Sequence, residues 1–467
     1  MTEPVDLAAI RSVHVIGAGG AGMSAIATVL AAMGKRVTGS DLKDSAALRR
    51  LAAVGVEVHV GHHADALGAV DAVAISTAVP PTNPEVVAAG RRGIPVLRRA
   101  DVLAAICRRR PTVAVAGTHG KTTTSSMLAL ILVEAGLHPS FLIGGEVNEV
   151  GGGAVWDRVH DDGLFVVEAD ESDGTFVELP AHAVVVTNLE PDHLDYWGTF
   201  AALQAAFERF VNQADGPCVV GVDDPASAAL AARTGALRAG TAPDADWRLV
   251  RPEGTQRFSV VRHGSPVADV ELAVPGLHNA RNALVALASA VELGAPVEAG
   301  VRALERYAGV ARRWQHRGHV GGIEFVDDYA HLPTEVAAAI SAGREGPWSR
   351  VVAVFQPHRF TRTASLGSSF GESFIGADVV FVTEIFPAGE PAQPGVTGRL
   401  VVDAVQDAHP GTDVIWAPGR RELIAALCET LRAGDLCLTL GAGDLTSLAD
   451  EVIGELGGRS PDGGRRA

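Results

Sequence analysis

The run Gly117-Thr118-His119-Gly120-Lys121-Thr122-Thr123 carries the sharpest chemical signal in the chain. It follows the strand-like stretch Thr112 to Ala116 and precedes an apolar helical stretch, Met127 to Glu134. Glycines let backbone N–H groups turn toward phosphate oxygens, and the start of a helix favours negative charge. Lys121 is then placed to neutralise β- and γ-phosphates, and the Thr122 hydroxyl to ligate Mg²⁺. The loop departs from the longer G-x-x-x-x-G-K-[ST] form, because Val115 stands where the first glycine would be. The expectation is a nucleotide triphosphate site on residues 117–123.

Two further runs predict strands that end in acids. Phe165-Val166-Val167 leads into Glu168-Ala169-Asp170-Glu171-Ser172-Asp173, and Ala183 to Val186 leads into Thr187-Asn188-Leu189-Glu190-Pro191-Asp192-His193-Leu194-Asp195. Open α/β sheets bind ligands at the carboxyl ends of their strands. Mg²⁺ keeps waters and phosphates and takes few protein ligands, so Thr122, a carboxylate such as Glu168 and optionally an imidazole such as His193 suffice.

Nearer the start, Gly17-Ala18-Gly19-Gly20-Ala21-Gly22 matches G-x-G-x-x-G, with Asp41 at the end of the next predicted strand. The same turn suits NAD, a nucleotide-sugar diphosphate or a purely structural tight turn. Asn279 and Asn282 share one face of a predicted helix, fit either to hold a nucleotide or to cap the helix. Arg312-Arg313-Trp314-Gln315, Asp327-Asp328-Tyr329-Ala330-His331 and Gln356-Pro357-His358-Arg359-Phe360-Thr361-Arg362 cluster later; Arg359 and Arg362 follow a predicted strand and are candidates for gripping a carboxylate.

Positioning these groups requires several cores. At 467 residues, with 47% apolar and 20% charged side chains, the chain has the composition of a globular protein of about three domains. Short β-branched runs alternate with amphipathic helical stretches almost from end to end, which predicts parallel sheets with crossover helices. Ser12 to Ile16 and Arg36 to Asp41 are expected strands, with a helix over Met23 to Met33 between them. The third region offers strands at Ile323 to Val326, Val351 to Phe355, Val379 to Val382, Asp413 to Ile415 and Leu436 to Leu440. The expected class is α/β in three domains: a Rossmann-like one over 1–108, a P-loop-type ATPase domain over 109–311, and a second Rossmann-like one over 312–467.

A net charge of −16 argues against a surface that wraps nucleic acid or anionic lipid. The basic runs Arg98-Arg99 and Arg108-Arg109-Arg110 read as solvated linker and helix-end charges. Cys107, Cys218, Cys428 and Cys437 form no C-x-x-C pair, which fits a reducing compartment. The acidic start and the lack of a long apolar run predict a cytoplasmic protein without a membrane partner. The tail Gly457 to Ala467 reads as disordered.

Taken together, these residues resemble the Mur ligase family over nearly the whole chain. The stretches that carry the resemblance are GAGGAGMS (17–24), STAVPPTNPE (76–85), GTHGKTTT (117–124), EADESD (168–173), TNLEPDHLD (187–195), GLHNARN (276–282), Arg312-Arg313, DDYAHLPTE (327–335), QPHRFTRT (356–363) and GAGD (441–444). GAGGAGMS and QPHR are similar to the alanine-adding branch in particular. The resemblance implies an ATP- and Mg²⁺-dependent ligase that joins L-alanine to the carboxylate of UDP-N-acetylmuramate through an acyl phosphate, as a monomer or homodimer.

It also implies residue roles. Lys121, Glu168 and His193 would be catalytic, with Thr122, Glu168 and His193 around the metal. Residues Gly117, Thr118, His119, Gly120, Lys121, Thr122, Thr123, Asn279, Asn282, Arg313 and Asp328 would bind ATP. Gly17, Gly19, Gly20, Gly22 and Ser76 would hold the UDP substrate, and His331, His358, Arg359 and Arg362 the amino acid. Two features stand out against the family pattern. His331-Leu332 replaces two consecutive histidines, and residues 194–215 lack the lysine that sister ligases carbamylate, as the alanine-adding branch also does. An NAD-dependent oxidoreductase, a P-loop ATPase without ligation, and a ligase that attaches a tripeptide to the same sugar are the competing readings.

Overall fold

A computed structural model describes residues 5–145 and 152–458. Its strands form three sheets of five, ten and six strands. Two compact units divide the chain: Met1–Arg251, Arg257–Glu271 and Arg281–Tyr307 make one, and Pro252–Gln256, Leu272–Ala280 and Ala308–Ala467 the other. The first unit carries the five- and ten-stranded sheets, the second the six-stranded sheet.

The first sheet is wholly parallel, in the order Glu57–Val60, Arg36–Asp41, Ser12–Ile16, Ala72–Ile75, Val96–Arg98. Strand Ser12–Ile16 is buried along its length, as its central place demands. The helix that follows covers Ala21–Ala32, two residues earlier than its apolar run predicts, because it starts directly after the glycine turn.

In the ten-stranded sheet, Thr112–Ala116 lies between Phe165–Glu168 and Ala183–Val186, parallel to both. Register pairs Ala116 with Val186 and Val115 with Glu168, so three strand tips finish side by side. Helix Lys121–Glu134 packs beneath them. Its first turns, Thr123 to Ser126, are polar yet buried, which hid them from apolar periodicity and made the expected helix start at Met127. The sheet departs from an all-parallel design at its margins. Trp247–Val250, Arg257–Arg262 and Ser265–Glu271 form an antiparallel meander, and Ala154–Val155 pairs antiparallel with Ser140–Leu142. The hairpin at His263-Gly264 has φ of 46° and 81°, the doubly positive turn whose twist matches paired strands.

In the six-stranded sheet the parallel strands run Ile323–Asp328, Asp435–Leu440, Arg350–Phe355, Val379–Val382, Asp413–Trp416, with Gln315–Val320 antiparallel on the edge. Helices Pro333–Arg344 and Arg399–Ala408 pack on one face and Arg420–Thr430 and Leu448–Gly458 on the other. Right-handed crossovers require this split, since the chain reverses direction across the sheet after Asp413–Trp416. Gly457 and Gly458 end the last helix instead of opening a disordered tail; residues 459–467 lie outside the described residues. No helix among the described residues is long and apolar enough to cross a membrane.

Each basic run has one member that is not simply solvated, while Arg98, Arg108 and Arg109 are exposed. Arg99 pairs with Asp173 at 2.8 Å, and Arg110 is 6% exposed, lying over the Trp156 ring at 4.3 Å. Long-range acceptors and an aromatic face offset the desolvation that sequence proximity alone could not reveal.

Gly221, ending strand Cys218–Gly221, passes so close to the Thr187 carbonyl that a Cβ there would stand 2.2 Å from its oxygen. Gly221→Ala is expected to cost about 1–3 kcal/mol through this overpacking, read as a lower urea midpoint. An unchanged midpoint would show that the strand tip yields freely.

Candidate active site

The turn 117–120 is built from main chain. Gly117 has φ of 135°, and a Cβ there would sit 2.0 Å from Thr187 Oγ1; Gly120 has φ of 78°, and a Cβ there would sit 2.4 Å from Asn282 Oδ1. Only glycine fits both the dihedrals and the space. The neighbouring strand tip staples the turn. The Thr187 N–H donates to the Ala116 carbonyl at 3.0 Å, and the Thr118 N–H to the Asn188 carbonyl at 3.2 Å. The Asn188 amide works in both directions, its Oδ1 accepting from the His119 N–H at 2.8 Å and its Nδ2 donating to the His119 carbonyl at 3.0 Å. Glu190 adds its N–H to Thr118 Oγ1 at 2.8 Å and its carboxylate to His119 Nε2 at 3.2 Å. Helix Lys121–Glu134 has no side-chain cap at Gly120, so its N-terminal dipole faces the turn unshielded.

Lys121 folds back over this turn. Its ammonium donates to the Gly117 carbonyl at 2.7 Å and to Glu171 Oε1 at 2.9 Å. Burial works against the charge on Lys121, but Glu171 and Asp170 outweigh it and hold the lysine above its ordinary value. Glu171 is 1% exposed, and burial pushes its carboxyl up to about 7 although Lys121 pulls the other way. Next to it, Thr122 Oγ1 donates to Glu168 Oε1 at 3.0 Å, and Glu168 Oε2 accepts from the Gly144 N–H at 2.8 Å. His193 occupies a left-handed conformation, φ 52°, at the start of a short helix; its Nε2 lies 3.3 Å from Asp192 and 3.8 Å from Glu171 Oε1. Lys121 and His193 thus both approach Glu171, while Thr122, next to Lys121 in the chain, is bonded to Glu168. A hydroxyl, a carboxylate and an imidazole beside an uncapped helix start fit a Mg²⁺ ion completed by phosphate oxygens and waters.

Glu171 and Asn188 had no separate role in the sequence reading. The signals were present, as the fourth residue of EADESD and the second of TNLEPDHLD, but their partners depend on strand register.

The N–H groups of the first glycine turn are tied to the end of the neighbouring strand. The N–H groups of Gly17 and Ala18 both donate to the Ser40 carbonyl, at 2.8 and 2.9 Å, and the Gly19 N–H donates to Asp41 Oδ2 at 2.9 Å. Ser76 lies beside Gly17, and Arg99, paired with Asp173, lies beside Gly22. Helix Ala21–Ala32 starts at Gly20 without a side-chain cap. A cavity of about 510 Å³ opens between this helix, at Ala21, Ser24 and Thr28, and the segment holding Gly144. The helix that follows the first glycine turn and Gly144, whose N–H holds Glu168, thus line one cavity.

Asn282 touches the P-loop, whereas the Asn279 amide donates to the Pro275 carbonyl at 2.6 Å, the capping alternative. In the second unit, Asp328 receives the N–H groups of Trp314 and Ala330 at 2.8 and 2.9 Å. Burial pushes its carboxyl up to about 6, against the pull of Arg313. Arg312 and Arg313 both lie over the Tyr329 ring, at 4.7 and 5.0 Å. His331 and His358 meet edge to face at 5.7 Å, and Phe386 stacks on His358. Burial, then His331 and the arginines, push His358 down to about 4. Arg362 Nη1 lies 3.2 Å from His358 Nδ1. Arg359 has φ of 68°, and its Nε is buried without a hydrogen-bond partner among the described residues, a donor left for an anion. Leu332 is buried where a second imidazole was expected; its N–H and that of His331 both donate to Glu335, at 3.2 and 2.9 Å.

Comparison with known proteins matches this architecture throughout. Family models described as the Mur ligase family catalytic domain, the Mur ligase middle domain and the Mur ligase glutamate ligase domain match residues 12–111, 115–290 and 312–443. UDP-N-acetylmuramate–L-alanine ligase of Pelotomaculum thermopropionicum is 44% identical over 96% of this chain and 98% of its own length. The same-named ligase of Kineococcus radiotolerans is 46% identical over 97% and 98%. The crystal structure of UDP-N-acetylmuramate-alanine ligase from Thermotoga maritima superposes with a TM-score of 0.81 at 27% identity, covering 96% of this chain and 99% of that one. A murein peptide ligase from Psychrobacter arcticus superposes with a TM-score of 0.67 at 26% identity, over 96% and 99%. With three family models in register along the chain and full-length relatives at these identities, the chain belongs to the Mur ligase family.

Proposed function

We propose that this chain is an ATP-dependent, ADP-forming ligase that joins L-alanine to the carboxylate of UDP-N-acetylmuramate, a cytoplasmic step in building peptidoglycan precursor, working as a monomer or homodimer. The observation that carries it is the Lys121 turn, with Thr122 and Glu168 hydrogen-bonded beside it, in a chain whose full-length relatives bear that ligase name. Domain boundaries near 108 and 311 are part of this reading; the breaks between the family matches, at 111–115 and 290–312, support it.

An amide forms from a carboxylate only when one carboxylate oxygen becomes a good leaving group. In the proposed sequence the muramoyl carboxylate attacks the γ-phosphorus in line, forming an acyl phosphate and releasing ADP. The amine of L-alanine then attacks the acyl carbon; the C–N bond forms, the C–O bond to phosphate breaks, and the amine loses a proton. Lys121 and the uncapped helix start stabilise charge on the transferring phosphoryl group. Mg²⁺, for which Thr122, Glu168 and His193 are the fitting ligands, would add charge neutralisation at the β- and γ-phosphates. Gly117 to Thr123, with Asn279, Asn282, Arg313 and Asp328, are assigned to ATP; Gly17, Gly19, Gly20, Gly22 and Ser76 to the UDP portion; His331, His358, Arg359 and Arg362 to the amino acid. The uncapped start of helix Ala21–Ala32 at this glycine turn and the buried, unpaired Arg359 Nε support the last two assignments.

Phosphate release from ATP should require both UDP-N-acetylmuramate and L-alanine. Hydrolysis indifferent to both would sink the ligase reading, and release with a tripeptide but not with alanine would redirect it. Lys121→Ala should lower turnover by about 10²- to 10³-fold, the scale of losing one group that stabilises transition-state charge, with circular dichroism unchanged. Asp328 gives a pH test. Its folded value, about 6, lies above the unfolded one, so its contribution is complete below about pH 4 and fades as pH rises through 6. The stability advantage of wild type over Asp328→Asn should shrink by roughly 2–3 kcal/mol between about pH 4 and 7; a gap constant with pH would mean the carboxylate is ionised throughout.

A further inference from the structure

At the amino end of the central sheet, away from the P-loop, three donor side chains converge. His138 lies in the turn between helix Lys121–Glu134 and strand Ser140–Leu142, and Asp157 and His160 lie between Ala154–Val155 and Phe165–Glu168. His160 Nδ1 is 2.9 Å and His138 Nδ1 4.0 Å from the same oxygen, Asp157 Oδ2. The two imidazoles stack with centroids 3.6 Å apart. One nitrogen from each ring and a carboxylate oxygen all lie within 4.8 Å of one another, the one such group among the described residues.

The frame around them is built. Asp157 Oδ1 is taken by the N–H groups of Val159 and His160, at 2.7 and 3.2 Å, which leaves Oδ2 to face the rings. The Asp157 main chain is fixed on both sides, its N–H donating to Ser140 Oγ at 3.0 Å and its carbonyl accepting from the buried Arg110 at 2.6 Å. His138 has φ of 44° although Pro139 follows, a conformation disfavoured for a side-chain-bearing residue and more so before proline. The surrounding structure sustains that strain, and it sets the His138 ring over His160.

We propose that His138, Asp157 and His160 form a binding site for a divalent transition-metal ion of the zinc(II) or nickel(II) class, separate from the Mg²⁺ of catalysis. Two imidazoles and one carboxylate with open positions for water are a donor set that these ions prefer, whereas Mg²⁺ favours oxygen ligands. Closing on the ion requires the rings to splay from parallel so that each lone pair points at the metal. With side chains 51% and 40% exposed, His138 and His160 have room to turn. As the metal binds, the proton on Nδ1 facing Asp157 is exchanged through solvent for one on Nε2, so each imidazole binds as the neutral tautomer. The ion ties residue 138 to residues 157–160. Arg158, within that segment, donates to the Ala31 carbonyl at 2.8 Å, so the metal braces the junction between the first and central sheets.

The test uses the full chain, stripped with chelator and held in millimolar Mg²⁺, titrated calorimetrically with Zn²⁺ beside a His138→Ala/His160→Ala variant. Wild type should bind one more equivalent of Zn²⁺ than the variant, and Asp157→Asn should weaken that equivalent at least about tenfold, on the scale of disturbing a metal's supporting carboxylate. Because both histidine side chains are only about half buried, the double variant should fold, checked by its circular dichroism. Identical Zn²⁺ stoichiometry and affinity in wild type and double variant would overturn the assignment.

Discussion

Everything in the central domain answers to one constraint: a positive charge has to be kept ready inside a turn made of main chain. The ammonium of Lys121 lies in a pocket with little water, and Glu171 is its counter-ion. Such a pair gains little as a source of stability, because desolvating two charges costs about what their attraction returns. Its value lies in exchange. In the proposed reaction a triphosphate would offer the lysine a stronger partner at the same place, and Glu171, whose burial already lifts it to about 7, would lose little by letting go.

The rest of the sheet supplies rigidity to that exchange. Thr187, Asn188 and Glu190 hold residues 116–119 through hydrogen bonds that only a parallel neighbour in this register can make. The opposite neighbour, Phe165–Glu168, delivers Glu168 to Thr122. Glycine at 117, 120 and 221 is the condition for this closeness, since a Cβ at any of them would overlap the strand tip or Asn282. The placement of Lys121, the Thr122–Glu168 pair and the turn geometry are thus consequences of three strands ending level.

The two glycine turns were legible as strand–turn–helix junctions because their residue types are nearly sufficient: glycines at 17 and 19, and at 117 and 120, each between a β-branched run and a helix. Strand tips at Glu168 and Val186 were legible from β-branched runs that stop at polar clusters. What failed to show depends on distance in sequence. Arg110 and Trp156 are 46 positions apart, so a basic run looked solvated when its last member is buried. The antiparallel meander escaped because strand direction leaves no mark on hydrophobic alternation; only the His263-Gly264 turn betrayed it. Helix Lys121–Glu134 began six residues before its apolar face because Thr123 to Ser126 are buried without being apolar. Family resemblance supplied the substrate, which no residue here specifies by itself.

The claim most open to direct measurement is that the Lys121 turn grips a triphosphate. A crystal structure with a non-hydrolysable ATP analogue and Mg²⁺ should show the Lys121 ammonium moved from Glu171 to the β- and γ-phosphate oxygens, with Thr122 and Glu168 around the metal. A nucleotide seated instead on the glycine turn of the first sheet, with the Lys121–Glu171 pair intact, would contradict the account.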